Sequence, residues 1–241
     1  MKKIVILAAF LCNVLTISAQ GDIRFGFQLS PSFSWMSTND NKITPSGTNL
    51  GLKLGMIGEY YFAENYAFST GLGFSFNSGG TLLHEYAGNY WTKSDLPANL
   101  ADTLRAGSKL KYGVQYLEIP IGLKMRTREF GYIRYFLEPG VQLGIKTQAR
   151  GVINDPTQSG ENEEKFDISK EVNSLYMSWG VGGGIEYSIS ENTSLMAGLG
   201  FQIGFTDVSD DNGTVFDPRG NRKEDSKGII NAITLRLGIL F

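Results

Sequence analysis

Few residues in this chain have types and spacing that could do chemistry. His84 is the only histidine and stands beside Glu85 in the polar stretch 79–111. A rim histidine working with Ser or Asp can serve hydrolysis of lipids or peptides. Here no partner follows at a useful spacing, so His84 reads as a solvated loop residue, and a lone histidine builds no multi-histidine metal site. The stretch 207–217 is acidic, with Asp207, Asp210, Asp211 and Asp217. A calcium loop of the EF-hand type with Gly213 at its sixth place would begin at Val208 and end at Arg219, which puts wrong residues at both key ligand positions. The stretch reads as a solvated loop, with a looser calcium or lipopolysaccharide-bridging role as the alternative. Gly180-Val181-Gly182-Gly183-Gly184 lacks the sixth glycine of a dinucleotide fingerprint, and Ile185 continues a strand pattern there. Cys12 is the only cysteine and lies in the leader. A thiol nucleophile, a disulfide and a cysteine metal site are therefore not expected in the mature chain. The expectation is a protein that is not an enzyme, with no cofactor and no metal.

A larger set of charges is more informative because it is embedded in apolar runs. Arg24, Lys53, Glu59, Glu118, Lys124, Arg126, Arg134, Glu138, Lys146, Glu186 and Arg236 all fall on the small or polar face of segments whose other face is greasy. In the first run Ile23, Phe25, Phe27, Leu29, Phe33 and Trp35 alternate with Arg24, Gly26, Gln28, Ser30, Ser32 and Ser34. Period-two alternation is the signature of a strand with two different environments. Seven further runs begin near Leu50, Tyr66, Leu117, Ile133, Leu175, Leu195 and Ile229. The fourth changes phase near Tyr116-Leu117, which reads as a bulge. Pro120 and Pro139 each remove a ladder hydrogen bond, so local bulges are expected at both.

The runs often reach about 12 residues, where soluble strands average five or six. Short connections at 63–65, 127–131 and 190–193 alternate with long polar ones at 37–47, 79–111, 148–171 and 207–227. The pattern predicts an all-β fold: an eight-stranded antiparallel up-and-down transmembrane β-barrel with short periplasmic turns and long extracellular loops. A soluble β-sandwich also alternates and is the competing fold. In hydrocarbon every backbone polar group must be bonded internally, so a membrane role for strands requires closure. Glycine at 30 residues and aromatics at 12% fit a barrel with a crowded interior and an aromatic girdle. The net charge of −2 and the lack of a basic patch argue against nucleic acid as a partner. The eleven charges face a lumen only wide enough for side chains to fill. They must pair or be hydrated, which makes them a salt-bridge plug or, alternatively, a narrow polar conduit.

Lys2 and Lys3, the apolar run 4–17 and the small pair Ser18-Ala19 read as a signal peptide over 1–19, with the barrel domain at 20–241. The expected location is the outer membrane of a Gram-negative bacterium. The expected partners are outer-membrane lipid, the barrel assembly machinery during biogenesis, and secretion-system or surface proteins. The last run ends at Phe241. A terminal aromatic reads as an assembly signal, or more plainly as one member of the girdle.

Tyr116-Leu117-Glu118-Ile119-Pro120-Ile121-Gly122-Leu123-Lys124 resembles the "YLEIP-x-x-LK" strand of the PorT-like outer-membrane β-barrel family. The stretches "GYIRYFLEPGVQLGIK" at 131–146, "GGGIEYSI" at 182–189 and "LRLGILF" at 235–241 are also similar to it. The resemblance implies a small porin-like barrel. The founding member serves a secretion system that exports proteins across the outer membrane, which adds an accessory role in secretion to the readings. From the residues themselves the expected function is a structural or interaction barrel with surface loops and a charge-filled lumen; a small-solute or ion channel is the alternative.

Overall fold

The computed structural model describes residues 23–97, 103–157, 164–210 and 212–241. The leader assigned to 1–19 lies outside the described residues. Twelve strands follow in chain order: β1 (Ile23–Ser37), β2 (Ile43–Ala63), β3 (Tyr66–His84), β4 (Gly88–Asn89), β5 (Lys109–Arg126), β6 (Ile133–Asn154), β7 (Phe166–Asp167), β8 (Leu175–Ser188), β9 (Ser194–Gly204), β10 (Thr214–Asp217), β11 (Gly220–Lys223) and β12 (Ile229–Leu240). Nine of them form one sheet in the order β5-β3-β2-β1-β12-β9-β8-β6-β7, and a β5–β6 pairing closes the first eight into a ring, with the two-residue β7 lying alongside β6. All the ring pairings are antiparallel. Closure leaves no unpaired edge, which is the condition for strands to cross hydrocarbon. Both described termini lie at the end with the short turns, where the Phe241 N–H donates to the Phe25 carbonyl at 2.7 Å.

The outer face decides the environment. Phe25 is 65% exposed and Leu199 63%, and large apolar side chains are exposed on all eight ring strands. A soluble sandwich buries such residues; here they form the lipid-facing belt. On one side of the ring this belt covers only part of the strands: 50–62 of β2, 66–76 of β3, 117–125 of β5 and 133–145 of β6 are its spanning portions there. Beyond it those four strands continue upward, so the connections 38–42, 85–108 and 155–174 are shorter than the sequence pattern predicts. The reason is visible in β5. Leu110, Tyr112, Val114 and Tyr116 face inward and Lys109, Lys111 and Gln115 outward; then Glu118 and Lys124 face inward and Leu117 and Leu123 outward. The strand never changes its inward parity. The solvent outside changes from lipid to water, and the residue pattern inverts.

The irregularity expected near Tyr116-Leu117 occurs at that height, but the extra residues lie in the partner strands and not in β5. The β5–β6 register shifts between Gln115 and Tyr116, opposite which β6 carries the extra residue Thr147. In β6 the inward set passes from Phe136, Glu138 and Gln142 to Ala149, Gly151 and Ile153 across that point. A matching irregularity sits in β3, where the pairing with β5 shifts between Ser75 and Ser78 and Asn77 adopts a left-handed φ of 59°. Asparagine tolerates that region better than most residues. The bulges expected at Pro120 and Pro139 are absent: the pairings Pro120↔Gln142 and Pro139↔Val181 lie inside unbroken register. The Pro120 carbonyl still accepts a hydrogen bond, from the Thr70 hydroxyl at 3.1 Å.

Candidate functional site

The lumen holds the predicted charges in two layers. At the turn end Lys124 is fully buried, 2.5 Å from Glu59 Oε1 and ion-paired with Glu186. Arg24 reaches Glu186 Oε2 at 3.2 Å and donates to Ser194 Oγ at 2.9 Å. The Tyr61 hydroxyl donates to Glu59 Oε2 at 2.8 Å. Beside this cluster Ile57, Phe136, Met196 and Leu240 form a small apolar layer, with Lys124 Nζ 4.7 Å from the Phe136 ring centre. In the middle of the barrel Lys53 lies 3.1 Å from Glu118 and donates to Gln202 Oε1 at 2.9 Å. Arg236 pairs with Glu138 at 3.0 Å, and Ser69 Oγ donates to the same carboxylate at 2.8 Å. Eight of the eleven predicted charges thus fall in the ion-paired lumen, four of each sign.

The other three do not join it. Arg134 pairs with Glu129 in the turn, where the strand ends in water. Arg126 donates to the Glu64 carbonyl and lies 3.8 Å over the Tyr61 ring. Lys146 donates to the carbonyls of Ser169 and Val172 at the loop end. Parity sets the direction of these side chains, but height along the strand sets what they meet.

Glycines make the room for the middle layer. A Cβ on Gly182 would lie 2.4 Å from a guanidinium nitrogen of Arg236, and one on Gly122 would lie 2.7 Å from Ser69 Oγ and 3.1 Å from Glu138. This layer also borders a cavity of about 140 Å³ whose lining includes both ion pairs, Gln142 and Gln202. That is enough for a few waters at about 30 Å³ each. A Gln202→Arg change would add a third cation to the layer that holds Lys53 and Arg236.

Above the cavity the inward face turns apolar. Tyr116 and Tyr176 pack with ring centres 5.2 Å apart. Met36, Leu82, Leu110, Tyr112, Val114, Ile153 and Ile230 fill the protruding half of the barrel, and Tyr90, Trp91 and Leu104 from the 85–108 connection close it. The Trp91 indole N–H donates to the Tyr112 hydroxyl at 3.0 Å. Four connections are joined into a cap. β10 pairs with both β11 and β4, Arg222 meets Asp40 at 2.6 Å, Lys93 pairs with Asp210, and the Lys93 amide donates to Glu171 Oε1 at 2.5 Å. Partial burial pushes the Asp40 carboxyl up, but its bonds to Arg222 and the Lys42 amide outweigh that and hold it below the usual carboxylate range. Burial pushes the Glu171 carboxyl up, against its hydrogen bonds from 93–94.

Two loop expectations change here. His84 is not a solvated loop residue: it ends β3 beneath the cap, 3% exposed, with its ring centre 4.0 Å from that of Tyr90. The acidic stretch is tied down rather than free. Asp207 Oδ1 accepts from the amides of Ser209 and Gly228, each at 3.0 Å. No cluster of three or more acidic or histidine ligands suited to a metal occurs among the described residues. The buried histidine and the apolar plug are what sequence reasoning missed. The signal available was the Leu110-Tyr112-Val114-Tyr116 alternation, in phase with Glu118 and Lys124.

The model of the family "outer membrane protein beta-barrel domain" matches residues 18–210. The chain belongs to that family. It is an outer-membrane barrel of a Gram-negative bacterium, in contact with membrane lipid. Among solved structures the barrel is similar to Neisserial surface protein A at 10% identity, covering 90% of this chain and 95% of that one, with a TM-score of 0.43. A major outer membrane protein from Thermus thermophilus matches at 14% identity, 91% and 99% coverage and a TM-score of 0.43. The Pseudomonas aeruginosa outer membrane protein OprG matches at 11% identity, 91% and 94% coverage and a TM-score of 0.42. No curated protein matches the chain.

Proposed function

We propose that this barrel is a non-conducting structural and interaction protein, anchored by its belt and presenting the folded cap at the cell surface. The observation that carries the reading is a lumen stopped at both levels, by the buried Lys124 cluster at the turn end and by the tyrosine-rich apolar core at the loop end. Ion pairs this buried act as structure: the charges cancel locally, and a passing ion would have to break them. Reconstituted in planar bilayers at neutral pH, the barrel is expected to give no stepwise conductance. Discrete, reproducible single-channel steps would favour the narrow-channel reading instead. The PorT-like resemblance keeps an accessory role in protein secretion as the second reading, and crosslinking of the intact barrel in cells tests it by identifying partners of export machinery.

The same reading covers both ends of the chain. A leader cut after Ala19 delivers the chain to the periplasm. Phe241 is 51% exposed, with only its backbone engaged by Phe25. We assign it as the signal by which the assembly machinery captures the chain. Phe241→Ala is then expected to refold in detergent nearly as well as the wild type, yet to reach well under half the wild-type level of folded barrel in cells, read by migration on unheated gels. Normal cellular levels would leave Phe241 a girdle residue.

A further inference from the structure

We propose that the cap is an acid-sensitive closure whose trigger is His84. The cap holds an imidazole in an unusual state. Both His84 ring nitrogens are buried, and neither has a hydrogen-bond partner among the described residues. The ring lines a small cavity under the cap together with Tyr90, Trp91, Tyr112, Glu171 and Asp210. Its backbone is fixed, since the His84 amide donates to the Ser108 carbonyl at 3.0 Å and its carbonyl accepts from Gly107 at 2.8 Å.

The charged groups around it are mostly committed elsewhere. Asp40, in the turn before β2, is bonded to Arg222 and to the Lys42 amide. Lys42 and Glu85 pair with each other at the surface. Asp210 pairs with Lys93, Arg105 with Asp155, and Glu224 Oε1 accepts from the Ser226 amide at 2.8 Å. Tyr90 and Tyr112 are neutral phenols. Lys109 begins the neighbouring strand and is exposed on the outer face. One oxygen of Glu171 is buried without a hydrogen-bond partner, but no bond joins it to His84. A proton on His84 would therefore place a charge in the closed cap without a bonded counter-charge.

The direction follows from linkage. Burial pushes the imidazole down to about 3 in the closed cap, whereas in an opened, solvated cap it titrates near 6.5. The open form binds more protons, so closure is stable above about pH 6.5 and is lost progressively as the pH falls below it. Between pH 7.5 and 5.0 the open-to-closed ratio rises by up to about thirtyfold from this group alone. Glu171 opposes the effect, because burial favours its protonated form in the closed cap. Opening would expose the apolar core under Trp91 and Tyr90, so acid would change what the cell-surface end presents.

The test uses the full mature barrel, untagged, in lipid vesicles. Amide exchange of segments 86–91 and 104–108, corrected for the intrinsic pH dependence, is followed at pH 7.5 and 5.0 in the wild type and in His84→Gln. The expected result is a loss of protection of fivefold or more in the wild type at pH 5.0, with less than twofold in His84→Gln. Unchanged wild-type protection, or the same loss in His84→Gln, overturns the proposal. Should His84→Gln fail to close at pH 7.5, the single imidazole of the wild type decides by NMR titration. A midpoint below 6 supports the trigger. A midpoint of 6 or above, as a pairing with Glu171 would produce, overturns it. None of these readings depends on whether the barrel conducts.

Discussion

Lys124→Met is expected to destabilise the barrel by about 3–5 kcal/mol, the range for breaking a buried pair by removing one partner. Lys124 is fully buried and neutralises two carboxylates, Glu59 and Glu186, while Arg24 supplies the second cation of the cluster. Without Lys124 the cluster carries one net negative charge, beside the apolar layer of Ile57, Phe136, Met196 and Leu240. The companion variant Lys124→Met/Glu59→Gln restores neutrality and leaves the Arg24–Glu186 pair intact, and the Tyr61 hydroxyl keeps an oxygen to donate to. More than half of the lost stability should return in that double variant. Urea titrations of reversible folding into lipid vesicles measure both. A single-variant loss below about 1 kcal/mol would show that water reaches the cluster, and the plug would then be wet.

Leu199→Arg is expected to cost about 2–4 kcal/mol, the range for arginine on the lipid face near the bilayer midplane. Leu199 sits at the middle of β9, faces outward, and pairs across to Leu235 and Gly183. Leu195→Arg lies on the same strand and face but next to the turn, so its cost should fall to about 0–1 kcal/mol. This difference separates a membrane barrel from a water-soluble one, where both positions would be ordinary surface. Equal costs for the two variants in the same folding titration would move the belt away from where the outward residues of β9 place it.

The belt and the lumen charges were legible because alternation in lipid is unambiguous. Phe25 or Leu199 on one face and Arg24 or Arg236 on the other leave a single way round for the strand. Where the strands leave the membrane, that logic reverses. Lys111 and Tyr112 continue the alternation of Leu123 and Lys124 in parity, but water now lies where lipid was and an apolar core lies where charges were. Read without knowledge of the boundary, the inversion looks like a phase error or a loop. A true phase change does occur nearby, at Thr147 of β6, and only the pairing with β5 reveals it.

By itself, then, the sequence determined the class of fold, the number of spanning strands and the lipid face. These follow from local parity and from the rule that no backbone group is left unbonded in hydrocarbon. Tertiary structure alone decided the pairings and the cap. Lys124 meets Glu59 and Glu186 across 65 and 62 residues of chain, and partners at that separation are chosen by the shear and height of the closed ring, which no local pattern encodes. It also decided that His84 is buried. A residue in a polar stretch reads as solvated until distant segments, here those carrying Tyr90, Glu171 and Asp210, are folded over it.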